Sequence, residues 1–464
     1  MLKNNAEDTI VAISTPVGEG GIGIVRMSGP RSLKIADGIF LSKDGSKPSK
    51  FRTYTTHYGH IVAENRIIDE VILTVMKTPK SYTKEDVVEI NCHGGIQAVK
   101  KVLDLALKRG ARLAEPGEFT RRAFLNGRLD LAQAEAVADV IRAKTEASLK
   151  VAMNQLEGEL SRSVDAVRQD AIDIASHIEA GIDFPEEGLE LGEKKALVKK
   201  TEDVVSRLKK LVDSYEEGIV FREGVLAIIC GKPNVGKSSL MNLLLKRDRV
   251  IVSPLPGTTR DAVEEIINLR GIPIRIVDTA GISETKGAVE KEAVLKSKRY
   301  LEMADIVLLM LDASAKIDKR DLDIIKLVKG KKKIVLINKI DLARNRKTGK
   351  DEVKALFEKE KVMEVSVEKK RNIKELEDMI ADTVFEGRFS QAESAIVSNA
   401  RHREALDKAY RCMLSVKREL DEELSPELTA IDLREAIFEL GLVMGKSVSE
   451  DILDRIFERF CIGK

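Results

Sequence analysis

The hydrophobic pattern of the first 118 residues alternates short apolar runs with turns, which is typical of strands. We expect strands over residues 8–13, 23–27, 57–62, 67–76 and 87–91, with a hairpin turn at 63–66. Gly94 and Gly95 then open a run of helical periodicity that continues to residue 108. The pattern predicts a small α+β domain over residues 1–118.

From about residue 120 the apolar residues are spaced by three or four, the period of an amphipathic helix. The positions with this spacing are Leu149, Met153, Leu156, Leu160, Val164, Val167, Ala171, Ile174 and Ile178. They predict one helix of many turns, which glycine and proline interrupt within residues 181–188. The spacing resumes from Leu197 to Tyr215 and predicts a second helix.

Residues 216–383 alternate strand-like and helix-like runs, as a parallel α/β sheet does, and helical periodicity returns after residue 386. Helical segments on both sides of an α/β unit indicate an insertion, because the ends of a compact domain often lie close together. We therefore expect one helical domain from residues 119–215 and 384–464, with an α/β domain inserted at 216–383. Two separate helical domains are the alternative.

Composition narrows the classes of partner. Charged residues make up 33% of the 464 residues, but the net charge is only +2, so no global attraction to nucleic acid or membranes is expected. No apolar run approaches the roughly 20 residues of a membrane span. The four cysteines form no metal-spaced cluster or disulfide framework, which favours the cytoplasm. Aromatic residues are 4%, so base stacking is not expected to dominate any RNA binding.

Residues 231–238, Gly-Lys-Pro-Asn-Val-Gly-Lys-Ser, match the phosphate-binding loop pattern. An apolar run at 225–230 precedes them and a helical run follows, which is the strand–loop–helix context that the motif requires. Backbone N–H groups and the helix N-terminus would bind a polyphosphate there. Lys237 would reach the outer phosphates, and the Ser238 hydroxyl would bind Mg²⁺.

Two further phosphate motifs follow. Residues 278–281, Asp-Thr-Ala-Gly, close an apolar strand. Asp278 would hold the Mg²⁺ shell, and the Gly281 N–H would meet the γ-phosphate. Thr259, in the run 257–261, is placed to bind Mg²⁺ when the γ-phosphate is present.

A base-recognition motif, Asn-Lys-Ile-Asp, ends another strand at residues 338–341. The Asp341 carboxylate accepts two hydrogen bonds and so matches the two donors on the edge of guanine. Adenine presents an acceptor there and would leave the charge unpaired, which selects GTP over ATP. Residues 362–367 are expected to be the last base-contacting strand and loop, although they lack the usual Ser-Ala-Lys or Ser-Ala-Arg sequence.

The residue after Gly281 is Ile282, where small signalling GTPases carry the glutamine that orients the attacking water. Another group must therefore position the water, or hydrolysis is very slow. Glu290 is a candidate, although on residue chemistry alone a solvated carboxylate at a helix start is the simpler interpretation. Asn234, with backbone carbonyls of residues 253–258, would hold a cation such as K⁺ in place of an arginine. The alternative is an asparagine that caps the loop.

Several runs are not shared by GTPases at large. They are residues 8–12, 20–29, 86–95, 116–126, 129–136 and the final Phe-Cys-Ile-Gly-Lys at 460–464. On these runs the whole chain resembles the MnmE (TrmE) family of tRNA-modifying GTPases. The resemblance implies an N-terminal tetrahydrofolate-binding and dimerisation domain, a helical domain built from two chain segments, and an inserted Ras-like P-loop GTPase domain.

The resemblance also implies site residues by motif match. GTP would contact Asn234, Val235, Gly236, Lys237, Ser238, Ser239, Ser253, Pro254, Leu255, Pro256, Gly257, Thr258, Thr259, Asp278, Thr279, Ala280, Gly281, Asn338, Lys339 and Asp341. Mg²⁺ would be held by Ser238 and Thr259, and K⁺ by Asn234, Ser253, Leu255 and Thr258. Glu290 becomes the preferred catalytic, water-orienting residue. A 5-formyl- or methylene-tetrahydrofolate would be bound by Arg26, Glu89, Arg128 and Lys464.

The implied activity is addition of a carboxymethylaminomethyl or aminomethyl group to carbon 5 of the wobble uridine of certain tRNAs. K⁺-stimulated GTP hydrolysis, with GTPase domains pairing across a homodimer, would switch the conformation of the complex. The FAD- and NADH-using partner MnmG (GidA) would join in a heterotetramer or larger complex. A ribosome-assembly GTPase without modification chemistry and a folate enzyme acting alone are the alternatives. Cys461 is a candidate nucleophile near the folate site, but a small buried residue is the preferred interpretation.

Overall fold

The computed structural model describes residues 8–64, 66–183, 191–248, 265–278, 299–342, 347–357, 360–385, 395–422 and 424–464. The chain divides into two compact units, one of Met1–Ala138, Gln155–Thr201 and Ser415–Lys464, the other of Asp139–Asn154 and Glu202–Leu414. No helix among the described residues is long and apolar enough to cross a membrane.

The described strands are β1 (Ile10–Ile13), β2 (Gly23–Ser28), β3 (Phe40–Ser42), β4 (Thr55–Ala63), β5 (Arg66–Met76), β6 (Val87–Cys92), β7 (Arg112–Leu113), β8 (Val225–Cys230), β9 (Glu265–Leu269), β10 (Ile272–Asp278), β11 (Ile306–Asp312), β12 (Lys333–Asn338) and β13 (Lys361–Glu364). The described helices are α1 (Ser32–Asp37), α2 (Ile96–Lys108), α3 (Glu118–Leu125), α4 (Leu131–Arg142), α5 (Glu146–Leu156), α6 (Glu159–Asp183), α7 (Leu191–Asp213), α8 (Tyr215–Glu223), α9 (Lys237–Asp248), α10 (Lys319–Leu327), α11 (Lys350–Leu356), α12 (Ile373–Phe385), α13 (Ala400–Asp421), α14 (Pro426–Met444) and α15 (Glu450–Phe457). The described residues also include a 3₁₀ turn at Pro48–Lys50.

The first unit contains a seven-stranded sheet in the order β3-β4-β5-β6-β2-β1-β7. Neighbouring strands are antiparallel, except that β1 and β7 are parallel. Val25, Leu73 and Ile90 of the sheet pack in one core with Val99 and Val102 of α2. The predicted strands, the β4–β5 hairpin and the helix that ends at residue 108 are confirmed. Strands β3 and β7 were not predicted, because a run of two or three residues is too short to show an alternating pattern.

The helical layer of the first unit joins distant chain segments. α6 packs along α14. The residues of α6 at the predicted helical spacing are buried, namely Leu160, Val164, Val167, Ala171, Ile174 and Ile178. Because the second sheet lies between α6 and α14 in the sequence, this packing confirms a helical domain built from two chain segments.

The prediction of a single helix over residues 149–178 is wrong. The structure has two helices there, α5 and α6, separated by Glu157 and Gly158. Gly158 has a φ of +82°, a left-handed conformation that glycine adopts without a Cβ penalty. The apolar spacing continues across the break, so periodicity alone could not reveal it. The helix predicted to end at Tyr215 ends instead at Asp213, and α8 follows.

The second unit contains a six-stranded sheet in the order β13-β12-β11-β8-β10-β9. The pairs are parallel except β9 and β10, which are antiparallel. Every residue of β8 and of β12 is buried, as expected at the centre of a parallel sheet that is covered on both faces. The glycine loop follows β8 and the Asn-Lys-Ile-Asp motif follows β12. The parallel arrangement therefore brings both motifs to one edge of the sheet, as in Ras-like P-loop domains.

Candidate functional site

The candidate phosphate loop lies between the end of β8 and the start of α9. Gly231 and Gly236 have φ values of +149° and +104°, which residues with a side chain rarely adopt. A Cβ on Gly231 would lie 2.5 Å from the Met310 carbonyl oxygen, and one on Gly236 would lie 2.4 Å from Asn338 Nδ2. The backbone path therefore requires both glycines. The first turn of α9 adds N–H groups without intrahelical partners, which suits a phosphate.

The predicted phosphate-binding lysine is held across this loop. Lys237 is only 6% exposed. Its Nζ donates to the carbonyl oxygens of Gly231 at 3.0 Å and of Lys232 at 2.8 Å. These contacts keep the ammonium group against the loop, where it would neutralise the outer phosphates of a nucleotide.

Among the other loop residues, one is buried and holds the loop to the core, and three polar residues are exposed to solvent. Val235 is buried in the core of the second unit. Asn234, Ser238 and Ser239 are exposed, and Asn234 has a left-handed φ of +65°. Amide and hydroxyl oxygens are hard ligands of the kind that Mg²⁺ and K⁺ take. The described members of the predicted cation sites therefore fit the ions proposed for them.

Asn338 joins the phosphate loop to the base-recognition segment. Its side chain is nearly fully buried. The Nδ2 group donates to the Val235 carbonyl oxygen at 2.8 Å, and Oδ1 accepts from the Val367 N–H at 3.1 Å. Because one side chain satisfies a backbone acceptor in one loop and a backbone donor in another, it fixes the spacing of the two loops.

The next two residues of the motif are held by ion pairing and hydrogen bonding. Lys339 Nζ contacts Asp312 Oδ2 at 2.6 Å. A hydrogen bond from the Ser366 hydroxyl holds the pKa of the Asp341 carboxyl below its ordinary value. Asp341 is therefore ionised at neutral pH and available to the two donors of guanine. Ser366 itself is completely buried.

Ser366 lies in the run 362–367, which the sequence predicts to be the last base-contacting strand and loop, although no role was assigned to the serine itself. It follows β13 in the segment Val365-Ser366-Val367, which departs from the usual sequence of this loop. The signal available in the sequence was a hydroxyl directly after the last strand, in the loop expected to reach the base.

The rest of the predicted nucleotide site lies outside the described residues. The residues concerned are Ser253, Pro254, Leu255, Pro256, Gly257, Thr258, Thr259, Thr279, Ala280, Gly281, Ile282 and Glu290. Asp278 is the last residue of β10. Across the described ranges, no group of three or more His, Cys, Asp or Glu residues could hold a metal ion. The predicted Mg²⁺ ligands are hydroxyls and do not depend on such a group.

A second polar cluster lies on the sheet of the first unit. Arg26 of β2 and Glu89 of β6 are direct cross-strand partners. Arg26 Nε contacts Glu89 Oε1 at 2.7 Å, and the two side chains are 17% and 21% exposed. Arg26 Nη1 also donates to the Gly463 carbonyl oxygen at 3.1 Å, and the guanidinium lies 5.7 Å from the centre of the Phe119 ring. Arg26 thus connects the sheet to residues 460–464.

Residues 460–464 dock on the first unit mainly through their backbone. The Phe119 N–H donates to the Lys464 carbonyl oxygen at 3.2 Å, and the Ser14 hydroxyl donates to the Gly463 carbonyl oxygen at 3.2 Å. Gly463 has a φ of +92°, and a Cβ there would lie 2.5 Å from the Ile13 carbonyl oxygen. Burial, followed by repulsion from Arg26, lowers the pKa of Lys464. Lys464 is therefore placed beside the Arg26 and Glu89 pair.

The prediction that Cys461 is buried is wrong. Cys461 is an exposed free cysteine, whereas Phe460 and Gly463 are buried. Its carbonyl oxygen accepts from the Gly117 N–H at 3.4 Å. The segment therefore docks through the backbone of Cys461, and the thiol is left in solvent.

Arg128 completes the cluster through an aromatic residue. Its guanidinium lies 4.7 Å from the centre of the Tyr82 ring. The Tyr82 hydroxyl is 2.9 Å from Thr120 Oγ1. Burial raises the pKa of Tyr82, while the positive charges of Arg128 and Arg26 act in the opposite direction. Tyr82 packs against the small core cluster that contains Phe119, the ring beside Arg26, so Arg128 reaches the same part of the sheet. The sequence analysis missed Tyr82, because no motif marks a residue that reaches the site from a loop.

The cluster has the donor set that a folate requires. Arg26, Arg128 and Lys464 offer positive charge for the carboxylates of a glutamate tail. Glu89 offers an acceptor for the N–H groups of a pterin, and Tyr82 offers an aromatic surface. The structure brings together all four residues predicted for this site and adds Tyr82.

Two family models match the chain: "GTP-binding protein TrmE N-terminus" over residues 9–128 and "MnmE helical domain" over residues 131–461. A protein of Carboxydothermus hydrogenoformans named tRNA modification GTPase MnmE is 48% identical over 460 residues, covering 99% of this chain and 100% of the relative. A protein of the same name from Clostridioides difficile is 46% identical over 458 residues, covering 99% of each chain.

Solved structures give shorter matches. A variant of Aquifex aeolicus Era bound to GDP and AlF₄⁻ is 32% identical, covers 41% of this chain and 66% of that chain, and has a TM-score of 0.29. The G domain of the T. maritima FeoB iron transporter is 25% identical, covers 34% of this chain and 98% of that chain, and has a TM-score of 0.27.

Proposed function

This chain belongs to the MnmE family of tRNA modification GTPases, and on that premise we propose that it modifies carbon 5 of the wobble uridine of certain tRNAs. The added group is carboxymethylaminomethyl or aminomethyl. An FAD-dependent partner, MnmG (GidA), supplies the redox chemistry in the cytoplasm. GTP hydrolysis by this chain switches the conformation of the complex and does not itself form the new bond.

The observation that carries this proposal is the cluster of Arg26, Glu89, Arg128 and Lys464. Residues far apart in the sequence meet there, and their charges suit a tetrahydrofolate derivative, which supplies the one-carbon unit when it is bound. A GTPase that acts only as a binding switch has no use for such a cluster. The cluster therefore favours modification chemistry over the alternative of a ribosome-assembly GTPase.

For the nucleotide site, we assign phosphate binding to Lys237 and the loop N–H groups, and guanine binding to Asp341. Asn234 would hold K⁺, and Ser238 would hold Mg²⁺. Turnover in KCl should greatly exceed turnover in NaCl, since Na⁺ is too small for the site. Equal rates in the two salts would remove the K⁺ assignment. Asp341→Asn should prefer xanthosine over guanosine triphosphate, and unchanged selection of GTP would refute its role.

We assign the homodimer contact to the exposed face of β4 and β5. Tyr58 and Ile72 are cross-strand partners on this face, and both are about half exposed. An apolar pair of this size on a sheet face suits a second copy of the same surface. Tyr58→Asp should shift the chain to monomer in analytical ultracentrifugation, whereas the exposed Lys100→Asp on α2 should not.

The modification is tested in cells that lack the gene. Mass spectrometry of wobble uridines in bulk tRNA should show the modified nucleoside restored by the wild-type gene and by Lys100→Ala. It should not be restored by Lys237→Ala or by Arg26→Ala. If Arg26→Ala restores full modification, the folate assignment is wrong. If the deletion leaves the wobble uridines unchanged, the modification role is wrong.

The remaining alternative is a folate enzyme that acts without a partner. Purified chain, tetrahydrofolate derivative, GTP and unmodified tRNA would then suffice for one-carbon transfer. We expect no product in that mixture until the flavoprotein is added.

A further inference from the structure

One edge of the first unit carries an uninterrupted set of basic residues. Residues 47–54 and 75–82 together contain five Lys or Arg and no Asp or Glu. The five are Lys47, Lys50, Arg52, Lys77 and Lys80. We name them, together with Tyr54, the basic edge. The net charge of the chain is only +2, so this is a local concentration of charge rather than a general property of the surface.

The two segments of the basic edge lie side by side. The Lys77 N–H donates to Thr53 Oγ1 at 2.9 Å, and Lys77 Nζ donates to the Ser49 carbonyl oxygen at 2.9 Å. The Tyr54 N–H donates to the Val75 carbonyl oxygen at 2.8 Å. These bonds join the 3₁₀ turn to the end of β5. The charges that are separated in the sequence therefore form one surface.

The charges of the basic edge are available to a ligand. Lys47, Lys50, Arg52 and Lys80 are exposed. Within the described part of the chain, none of these four side chains forms an ion pair with a carboxylate. Two neighbouring carboxylates, Asp37 and Asp86, accept hydrogen bonds from the backbone N–H groups of Ser49 and Thr78, so four exposed charges face two half-buried acids. A surface with this excess of positive charge attracts a polyanion and releases the condensed ions of that polyanion.

Tyr54 ends the first segment of the basic edge, and its backbone bonds to the second segment. Its side chain is 64% exposed, and its φ is +58°, a region that a bulky residue rarely occupies. Such a conformation costs energy and persists only where surrounding contacts hold it, here the hydrogen bond to Val75. An aromatic ring held in solvent among lysines and arginines is the arrangement that stacks on a nucleic-acid base.

The basic edge is connected to the folate cluster. The cross-strand row Arg26, Glu89, Thr74 and Thr56 runs from β2 to β4. Three strand spacings of about 4.8 Å place Thr56 roughly 14 Å from Arg26. Tyr54 lies just before Thr56 in the chain. Because Thr56 and Thr74 share a face with Tyr58 and Ile72, this row gives the distance between the two sites and is not itself the path of the RNA.

A loop provides a second connection to the folate cluster. Thr78 Oγ1 donates to the Lys84 carbonyl oxygen at 2.7 Å, and Lys84 Nζ donates to the Gly127 carbonyl oxygen at 2.9 Å. The loop that carries Lys77 and Lys80 therefore continues to the residue before Arg128. The same loop carries Tyr82, on which Arg128 stacks.

We propose that the basic edge binds the phosphate backbone of the substrate tRNA next to the anticodon loop, with Tyr54 stacking on an unpaired base, so that the wobble uridine is presented to the folate cluster. The proposal rests on the proposed function, because that function supplies both the RNA and the reason for its approach. Backbone contacts provide most of the affinity, in agreement with the low aromatic content of the chain. RNA is favoured over an anionic membrane or an acidic protein because the proposed function makes tRNA the substrate of this chain, and an exposed ring beside exposed Lys and Arg side chains suits an unpaired base.

The test measures binding of the full chain to labelled, unmodified tRNA by fluorescence anisotropy across a KCl series. The variant Lys47→Ala/Lys50→Ala/Arg52→Ala removes three charges of the basic edge. Each phosphate contact contributes roughly 0.7–0.9 to the slope of the logarithm of the binding constant against the logarithm of the salt concentration. Loss of three contacts should therefore reduce the magnitude of this slope by about 2–3. This change in slope corresponds to tRNA binding by the variant that is roughly 100-fold weaker than binding by the wild-type chain at about 0.1 M salt. The matched control is Lys100→Ala/Lys101→Ala/Lys108→Ala, which removes three exposed charges from α2 of the same unit and should retain wild-type binding.

Tyr54 is tested separately. Tyr54→Ala should weaken binding about 5- to 150-fold without changing the salt slope, and Tyr54→Phe should restore it, because stacking needs the ring and not the hydroxyl. GTP hydrolysis without tRNA and folate binding should be unchanged in all of these variants, which shows that each is folded.

The outcomes separate this proposal from the proposed function. If the wild-type chain binds tRNA and the basic-edge variant binds equally well, the basic edge is not the RNA surface, and the proposed function stands. If the variant loses the flavoprotein partner or anionic vesicles but keeps tRNA, the surface serves a protein or a membrane, and the proposal is wrong. If deletion of the gene leaves the wobble uridines unchanged, the proposed function is wrong, whatever the binding experiment shows.

Discussion

Asn338→Ala is the sharpest test of how the nucleotide site is built. Asn338 is 3% exposed, and its side chain bridges the Val235 carbonyl oxygen at 2.8 Å and the Val367 N–H at 3.1 Å. Alanine would leave one backbone acceptor and one backbone donor without a partner. At about 1–3 kcal/mol for each unsatisfied buried group, the loss is roughly 2–6 kcal/mol. The phosphate loop and the base-recognition loop would no longer be held at a fixed spacing.

The measurement combines nucleotide affinity with stability. Labelled GDP should bind Asn338→Ala at least roughly tenfold more weakly, since ten-fold corresponds to about 1.4 kcal/mol. Limited proteolysis across a urea series should show the second unit opening at a lower urea concentration. Asn242→Ala, at an exposed position on α9, is the matched control and should change stability by less than about 0.5 kcal/mol. Wild-type affinity together with an unchanged urea midpoint in Asn338→Ala would refute the bridging role.

Three further predictions concern single residues. Glu290→Ala should retain GTP affinity but lose about 100-fold or more in single-turnover phosphate release; normal turnover would remove the catalytic assignment. Arg26→Ala should weaken folate binding by about 1.5–3 kcal/mol in equilibrium dialysis, because Glu89 loses its partner; an unchanged affinity would show that the pair does not bind folate. GDP affinity should stay constant as the pH falls until it reaches the lowered pKa of Asp341, below the ordinary 3.8, because only the ionised carboxylate accepts both guanine donors. Ser366→Ala should move this decline to higher pH, and an identical profile would exclude the hydroxyl as the cause.

The local parts of both sites could be predicted from the sequence. Gly231, Gly236 and Lys237 occur at spacings that only one loop conformation satisfies, and the structure shows the φ values and buried ammonium that the motif implies. The strands of the first sheet were predicted for a similar reason, since alternation along four or more residues is a local property. Such features depend on neighbours in the chain, which the sequence displays directly.

The contacts between distant residues could not be predicted in this way. Ser366 meets Asp341 only because β12 and β13 are adjacent in the sheet. Tyr82 meets Arg128 only because a loop crosses to the turn after α3. Neither Ser366 nor Tyr82 belongs to a motif with fixed spacing to its partner, and serines and tyrosines occur in many loops without such a contact. The helix break at Gly158 was not predicted for a different reason: the apolar spacing of three or four residues continues across it and indicates one unbroken helix.

The position of residues 460–464 explains why the second sheet is inserted in the chain rather than appended to it. Arg26 donates to the Gly463 carbonyl oxygen, so the chain returns to the first sheet after the α/β unit and brings Lys464 to the cluster proposed for folate. α14 packs along α6 and α15 follows it, which brings the final residues back to α3. The second unit is consequently interrupted in the sequence by segments of the first, and the chain passes between the two units after residues 138, 154, 201 and 414. A conformational change driven by GTP hydrolysis would reach the first unit through these four covalent connections, whereas a domain appended at one end would act through only one.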